Sequence, residues 1–182
     1  MKNIICIVLA LFVVSGLVSA QTKIVDAVKE VSSVTYKLVH PLHEIEATSK
    51  EVIYKVEIDP AIKKIKSVSA QVDVTTFDSG NSNRDSHAME VIDAITYPDV
   101  IFNGTEVEQN GDSLHVTGKL TFHGVTNDIV MAGTSHWLGD TLKIDGNFNL
   151  SLTAFKIERP SLLMIPVKDT LFFTLKASFE LK

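Results

Sequence analysis

Residues 170–182 read TLFFTLKASFELK, in which Leu171, Phe173, Leu175, Ala177, Phe179 and Leu181 alternate with Thr170, Thr174, Lys176, Ser178, Glu180 and Lys182. Only Phe172 breaks the order. Side chains on a strand point to alternate faces, so a period of two with one apolar row predicts a half-buried strand. The same pattern recurs toward the N-terminus. Leu142, Ile144, Phe148, Leu150 and Leu152 form one row with Gly146 inside it; Ile129, Met131 and Trp137 form another with Gly133 and Ser135; Leu114, Val116, Leu120 and Phe122 form a third with Gly118. Between the rows, Gln109-Asn110-Gly111-Asp112 and Leu138-Gly139-Asp140-Thr141 predict tight hairpins, because Asn and Gly tolerate the positive φ such turns need.

Further back, Val100–Val107 makes a weaker strand, and Val68, Ala70, Val72 and Val74 a clear one. Val52, Tyr54, Val56 and Ile58 alternate with charged neighbours, Ile53 excepted, and Val34, Tyr36 and Leu38 share a face that His40 extends. Asp59-Pro60 predicts a short helical turn over Ala61–Lys66, and Pro41 ends the pairing of the strand before it. The turn formers Asp78–Asn83 lead into a short helix, capped by Asn83 and running to about Ala94, with Met89, Ile92 and Ile95 as its buried stripe. Residues 21–31 show no clear period. The expectation is an all-β fold: eight antiparallel strands closed into a barrel, with one short helix between strands. Such a barrel is just wide enough to be filled by side chains or to hold one small ligand. The glycines in the inward rows fit either outcome, as space left for a cavity or as bends needed for closure.

Residues 1–20 stand apart from this pattern. Lys2, the apolar run Ile4–Val14 and the small residues Val18-Ser19-Ala20 make a secretory signal peptide with cleavage after Ala20. The run is shorter than the roughly 18 residues expected of a spanning helix. Residues 21–182 are then one exported domain, secreted and most simply periplasmic. Cys6 goes with the leader, leaving neither a disulfide nor a thiol nucleophile. The formal net charge of −5 becomes one unit more negative when Lys2 is removed, and with no basic run nucleic acid is not a partner.

Three motifs follow one another in residues 72–126: Asn83-Arg84-Asp85-Ser86-His87, Tyr97-Pro98 and Leu120-Thr121-Phe122-His123-Gly124-Val125-Thr126. Their order and spacing resemble the YceI-like family of secreted bacterial proteins that bind polyisoprenoids and related long-chain lipids. Leu152–Pro160 and Val167–Thr170 are looser matches, and His40-Pro41-Leu42-His43 lacks the glycine usual in the family's opening turn. The resemblance implies a lipocalin-like barrel with an apolar tunnel, a lipid-binding protein rather than an enzyme, and no cofactor. On that footing Val72, Val74, Leu120, Phe122, Leu150, Leu152, Phe173 and Leu175 are the inward-facing candidates for lipid contact. Arg84 and His87 are candidates for a polar mouth, since a guanidinium and an imidazole together can hold a phosphate or amide. The reading preferred for Arg84, Asp85 and His87 is a scaffold: Asp85 pairs with Arg84 or caps the helix, His87 bonds a nearby loop, and His123 anchors a turn beside Gly124.

No serine lies in a nucleophile-elbow context and no carboxylate pair interrupts an apolar row, so no catalytic residue is assigned. A metal site from His40, His43, His87 and His123 lacks paired-ligand spacing, so no metal is assigned either. A ligand-free filled barrel acting as an interaction or stress-protective module is the alternative, a metal-dependent enzyme ranks below it, and a homodimer is left open.

Overall fold

The computed structural model describes residues 22–181, so the proposed leader lies outside the described residues. Twelve strands run β1 (Lys23–Asp26), β2 (Ser33–His40), β3 (His43–Ser49), β4 (Ile53–Asp59), β5 (Lys64–Asp73), β6 (Asp99–Asn110), β7 (Ser113–Phe122), β8 (Val125–Leu138), β9 (Thr141–Ser151), β10 (Ser161–Leu162), β11 (Ile165–Pro166) and β12 (Thr170–Glu180). Among the described residues the one α-helix, α1 (Ser82–Val91), lies between β5 and β6.

Ten of these strands form a single strongly curled antiparallel sheet in the order β1-β4-β5-β6-β7-β8-β9-β12-β2-β3, and β10 and β11 form a separate hairpin. The eight expected strands are β2, β4, β5, β6, β7, β8, β9 and β12. The count is corrected by β1 and β3, which extend the two ends of the sheet. β3 presents only Ile45, Ala47 and Ser49 inward, and β1 only Val25, so neither carries a legible apolar row. The β1–β4 end folds back onto β12 and β2: Ala27 bridges Phe179, Val28 N–H donates to Ser178 C=O at 2.7 Å, and Tyr54 Oη donates to Ser33 C=O at 2.9 Å, linking β4 to β2.

The helix expected over Ala61–Lys66 is absent: β4 turns into β5 there, with Asp59 Oδ1 accepting from Ala61 N–H at 3.1 Å. The cap of α1 is Asn81, whose side chain accepts from Arg84 N–H, rather than Asn83. Ile95 lies beyond the helix and is 98% exposed, so it is no part of a buried stripe.

The inward glycines are explained by close approach. A Cβ on Gly133 would lie 2.1 Å from the Asp145 carbonyl oxygen, one on Gly146 would meet Met131 Sδ, and one on Gly118 would meet the Phe102 ring and the Asn103 carbonyl, all at 2.5 Å. Neighbouring atoms already fill the space these glycines leave. At Gly104, opposite Gly118, the β6–β7 register also shifts.

Candidate functional site: an apolar cavity beneath a polar rim

The interior divides along the strand axes. Toward the β6–β7 and β8–β9 turns, Val56, Ile58, Ile65, Leu114, Val116, Leu142, Ile144 and Phe179 are between 0 and 5% exposed and pack solidly. The opposite half holds a cavity of about 590 Å³. The change falls within single strands: Tyr54 reaches the cavity and Val56 does not, Leu120 does and Val116 does not, Phe173 does and Phe179 does not.

Seven inward candidates line this space: Val72, Val74, Leu120, Phe122, Leu152, Phe173 and Leu175. Leu150 is corrected: it is buried, but its register partner Leu171 and its neighbours Phe148 and Leu152 reach the cavity instead. The wall also includes aromatic rings not singled out from the sequence: Tyr36 and Phe148 on inner rows, and Phe77, which no alternating row contained. Phe148 stacks on Phe173 with centroids 4.7 Å apart, and Tyr36 packs on Phe77 at 5.3 Å. Ala88, Met89 and Val91 of α1, with Ile92 just past its end, close one side.

The polar residues gather on the loop and helix between β5 and β6. Arg84 donates from Nε to Ser79 Oγ at 2.8 Å and from Nη2 to Ser79 C=O at 2.7 Å. Asp85 accepts from Ser79 N–H at 3.3 Å and from the Ser79 hydroxyl. The two side chains therefore grip one serine from both sides. Asp78 and Thr48 exchange backbone hydrogen bonds of 3.1 and 3.0 Å, tying this loop to β3. Arg84 and His87 both border the cavity, but they differ in commitment. Arg84 is half-buried and held, while His87 is exposed, with Glu90 of its own helix at 3.6 Å rather than a loop partner.

Burial pushes the Tyr36 phenol above its usual range, with the Asp85 carboxylate adding to the shift and the Arg84 guanidinium opposing it. A hydroxyl with these neighbours faces an otherwise apolar wall. On the same rim, His40 Nδ1 accepts from Leu42 N–H at 3.2 Å, so Nε2 carries the proton and donates to Ile165 C=O at 2.9 Å. This bond joins the β2–β3 turn to the β10–β11 hairpin.

His123 is remote from these groups. Its Nδ1 donates to Phe155 C=O at 3.0 Å, and the Tyr97 ring meets it edge-on at 4.9 Å. Gly124 follows at φ +69°, where a Cβ would run into Tyr97. The four histidines do not converge, and among the described residues no three His, Cys, Asp or Glu side chains are grouped as metal ligands. No described helix is long and apolar enough to cross a membrane.

A family model described as YceI-like domain matches residues 25–179. A UPF0312 protein of Vibrio campbellii is 38% identical over 99 residues, which cover 50% of this chain and 52% of that protein. Protein YceI of Escherichia coli is 28% identical over 110 residues, 56% of each chain. The chain thus spans about half the length of the curated relatives it matches. Among solved structures, Burkholderia cenocepacia BcnA superposes with a TM-score of 0.76 at 24% identity, covering 84% of this chain and 98% of that one. A polyisoprenoid binding domain from Saccharophagus degradans superposes with a TM-score of 0.60 at 11% identity, over 86% and 97% of the two chains.

Proposed function

The chain belongs to the YceI-like domain family, and from that premise we propose that it is an exported, periplasmic binding protein that shelters the hydrocarbon part of one long-chain lipid. The cargo class is a polyisoprenoid, an isoprenoid quinone or a fatty-acid derivative. One observation carries the reading: a cavity of about 590 Å³ with almost wholly apolar walls lies in one half of an otherwise tightly packed barrel. That volume falls within the range of roughly 300–1,000 Å³ typical of sites that enclose a small molecule. Binding is by burial rather than chemistry. Each CH₂ removed from water contributes about 0.8 kcal/mol, so ten or more carbons supply a large gross term before the cost of association is subtracted.

The polar rim gives the lipid a direction. Arg84 is oriented by Ser79 and Asp85, and Tyr36 carries a hydroxyl beside them, so a polar head group rests there while the chain extends toward Leu120 and Phe173. Native mass spectrometry of protein purified from its own host tests the proposal. A co-purifying lipid mass, displaced by titration with a fluorescent long-chain fatty acid, is the expected result. Bare protein that takes up no probe favours the ligand-free interaction module, and a bound transition metal the enzyme.

A further inference from the structure

Between Arg159 and Lys168 the chain reads Pro160-Ser161-Leu162-Leu163-Met164-Ile165-Pro166-Val167, eight residues without a charge bracketed by two cations. Its centre is the β10–β11 hairpin, and the apolar side chains at the tip point out of the molecule: Leu163 is 76% exposed and Met164 96%. Their flanks, Leu162 and Ile165, are 47% and 40% exposed. The hairpin is held to the rim by His40 Nε2 on Ile165 C=O, and its base is fixed by Arg159 Nε on Val167 C=O at 2.8 Å. Leu42, on the adjoining β2–β3 turn, is 63% exposed.

Three features together select a partner. Pro160, Ser161 and Leu162 line the cavity, so the exposed apolar surface continues directly from its wall. The tip is a convex point of four side chains, far smaller than the roughly 800 Å² per partner that a stable protein interface buries. The charges at its base, Arg159 and the exposed Lys168 with their neighbours Glu158 and Asp169, balance one another, so contact with a bilayer is made by the apolar wedge itself. The backbone points the same way. Leu163 and Met164 have consecutive positive φ of 53° and 63°, a tight hairpin turn whose natural occupants are Asn and Gly. Two large apolar residues stand where the turn itself disfavours them.

We infer that the Leu162–Ile165 hairpin tip dips into the interfacial region of a phospholipid bilayer and presents the cavity mouth to the membrane. This rests on the lipid-carrier reading for its purpose but not for its measurement.

The test uses the chain from Gln21 onward, which contains every described strand, and vesicles of phosphatidylcholine and phosphatidylglycerol in equal parts. Parent protein should co-sediment with them. The double variant L163N/M164G should bind about tenfold or more weakly, since burying one leucine-sized side chain alone shifts an equilibrium by about that factor. The same variant should melt at the parent temperature or above, because the turn now holds residues suited to it. Uptake of a fluorescent fatty acid in solution should be unchanged, because Leu163 and Met164 lie outside the cavity. Vesicle binding equal to the parent's would overturn the inference. So would a parent that is dimeric and becomes monomeric in the variant, which would make the tip a self-association face. A parent that binds vesicles but takes up no fatty acid would sink the carrier reading and leave the membrane contact standing.

Discussion

Tyr54 shows how much one side chain contributes to holding the curled sheet together. Its ring lines the cavity, and its hydroxyl donates to the Ser33 carbonyl across the gap between β4 and β2. Tyr54→Phe keeps the ring and leaves that carbonyl without its donor, which should cost about 1 kcal/mol in thermal melting. Burial also raises the Tyr54 pKa well above the ordinary 10.0. The folded protein therefore keeps this proton more tightly than the unfolded chain does. The resulting stability is complete below pH 10 and is lost as pH rises above that value, where only the unfolded phenol ionises. Melting temperatures recorded from pH 8 upward should fall beyond pH 10, and less steeply in Tyr54→Phe. Asp85 acts on a shorter range. Asp85→Ala removes both bonds to Ser79 and should lower stability by about 1 kcal/mol, with fatty-acid affinity changed less than threefold. A large loss of affinity at unchanged melting temperature would instead put Asp85 in contact with the ligand.

At the level of strands, what could be read from the chain depended on whether burial left a periodic trace. β12 and β7 alternate large apolar with polar residues, and their register follows directly. β3 does not, because its inner row of Ile45, Ala47 and Ser49 holds a single large apolar side chain. β10 and β11 are two residues each and exposed, so nothing in their sequence could repeat. The glycine rows were ambiguous for a different reason: a missing side chain looks the same whether it leaves a void or lets two strands touch. Gly133 decides between these. Its absent Cβ would strike the Asp145 carbonyl, so Gly133→Ala should destabilise by about 1–3 kcal/mol or more, as overpacked interiors do, with chemical denaturation as the measure. Arg84 and Asp85 were legible as a helix-start cluster, but their shared grip on Ser79 spans a loop whose path no local pattern specifies.

Across the whole molecule the choice between a filled and a hollow barrel resolves into both, one at each end. Alternation could not show this, because a side chain facing a void and one facing a neighbour are equally apolar. Ala70 and Leu175 face the cavity from β5 and β12. Ala70→Phe and Leu175→Trp should each reduce fatty-acid affinity at least tenfold while the melting temperature drops little, because the added rings enter open volume. Large destabilisation by both would mean that the space is not available. The strand order has a consequence in time as well as in space. β12, which follows every other strand along the chain, lies between β9 and β2. Until it is in place, β2 and β3 have no route into the sheet, and β9 presents a bare edge. Docking of the β2–β3 hairpin onto the sheet must therefore wait for the C-terminal strand, which favours slow assembly dominated by distant pairings. A chain stopped before Thr170 would expose two strand edges to other chains and be prone to aggregate.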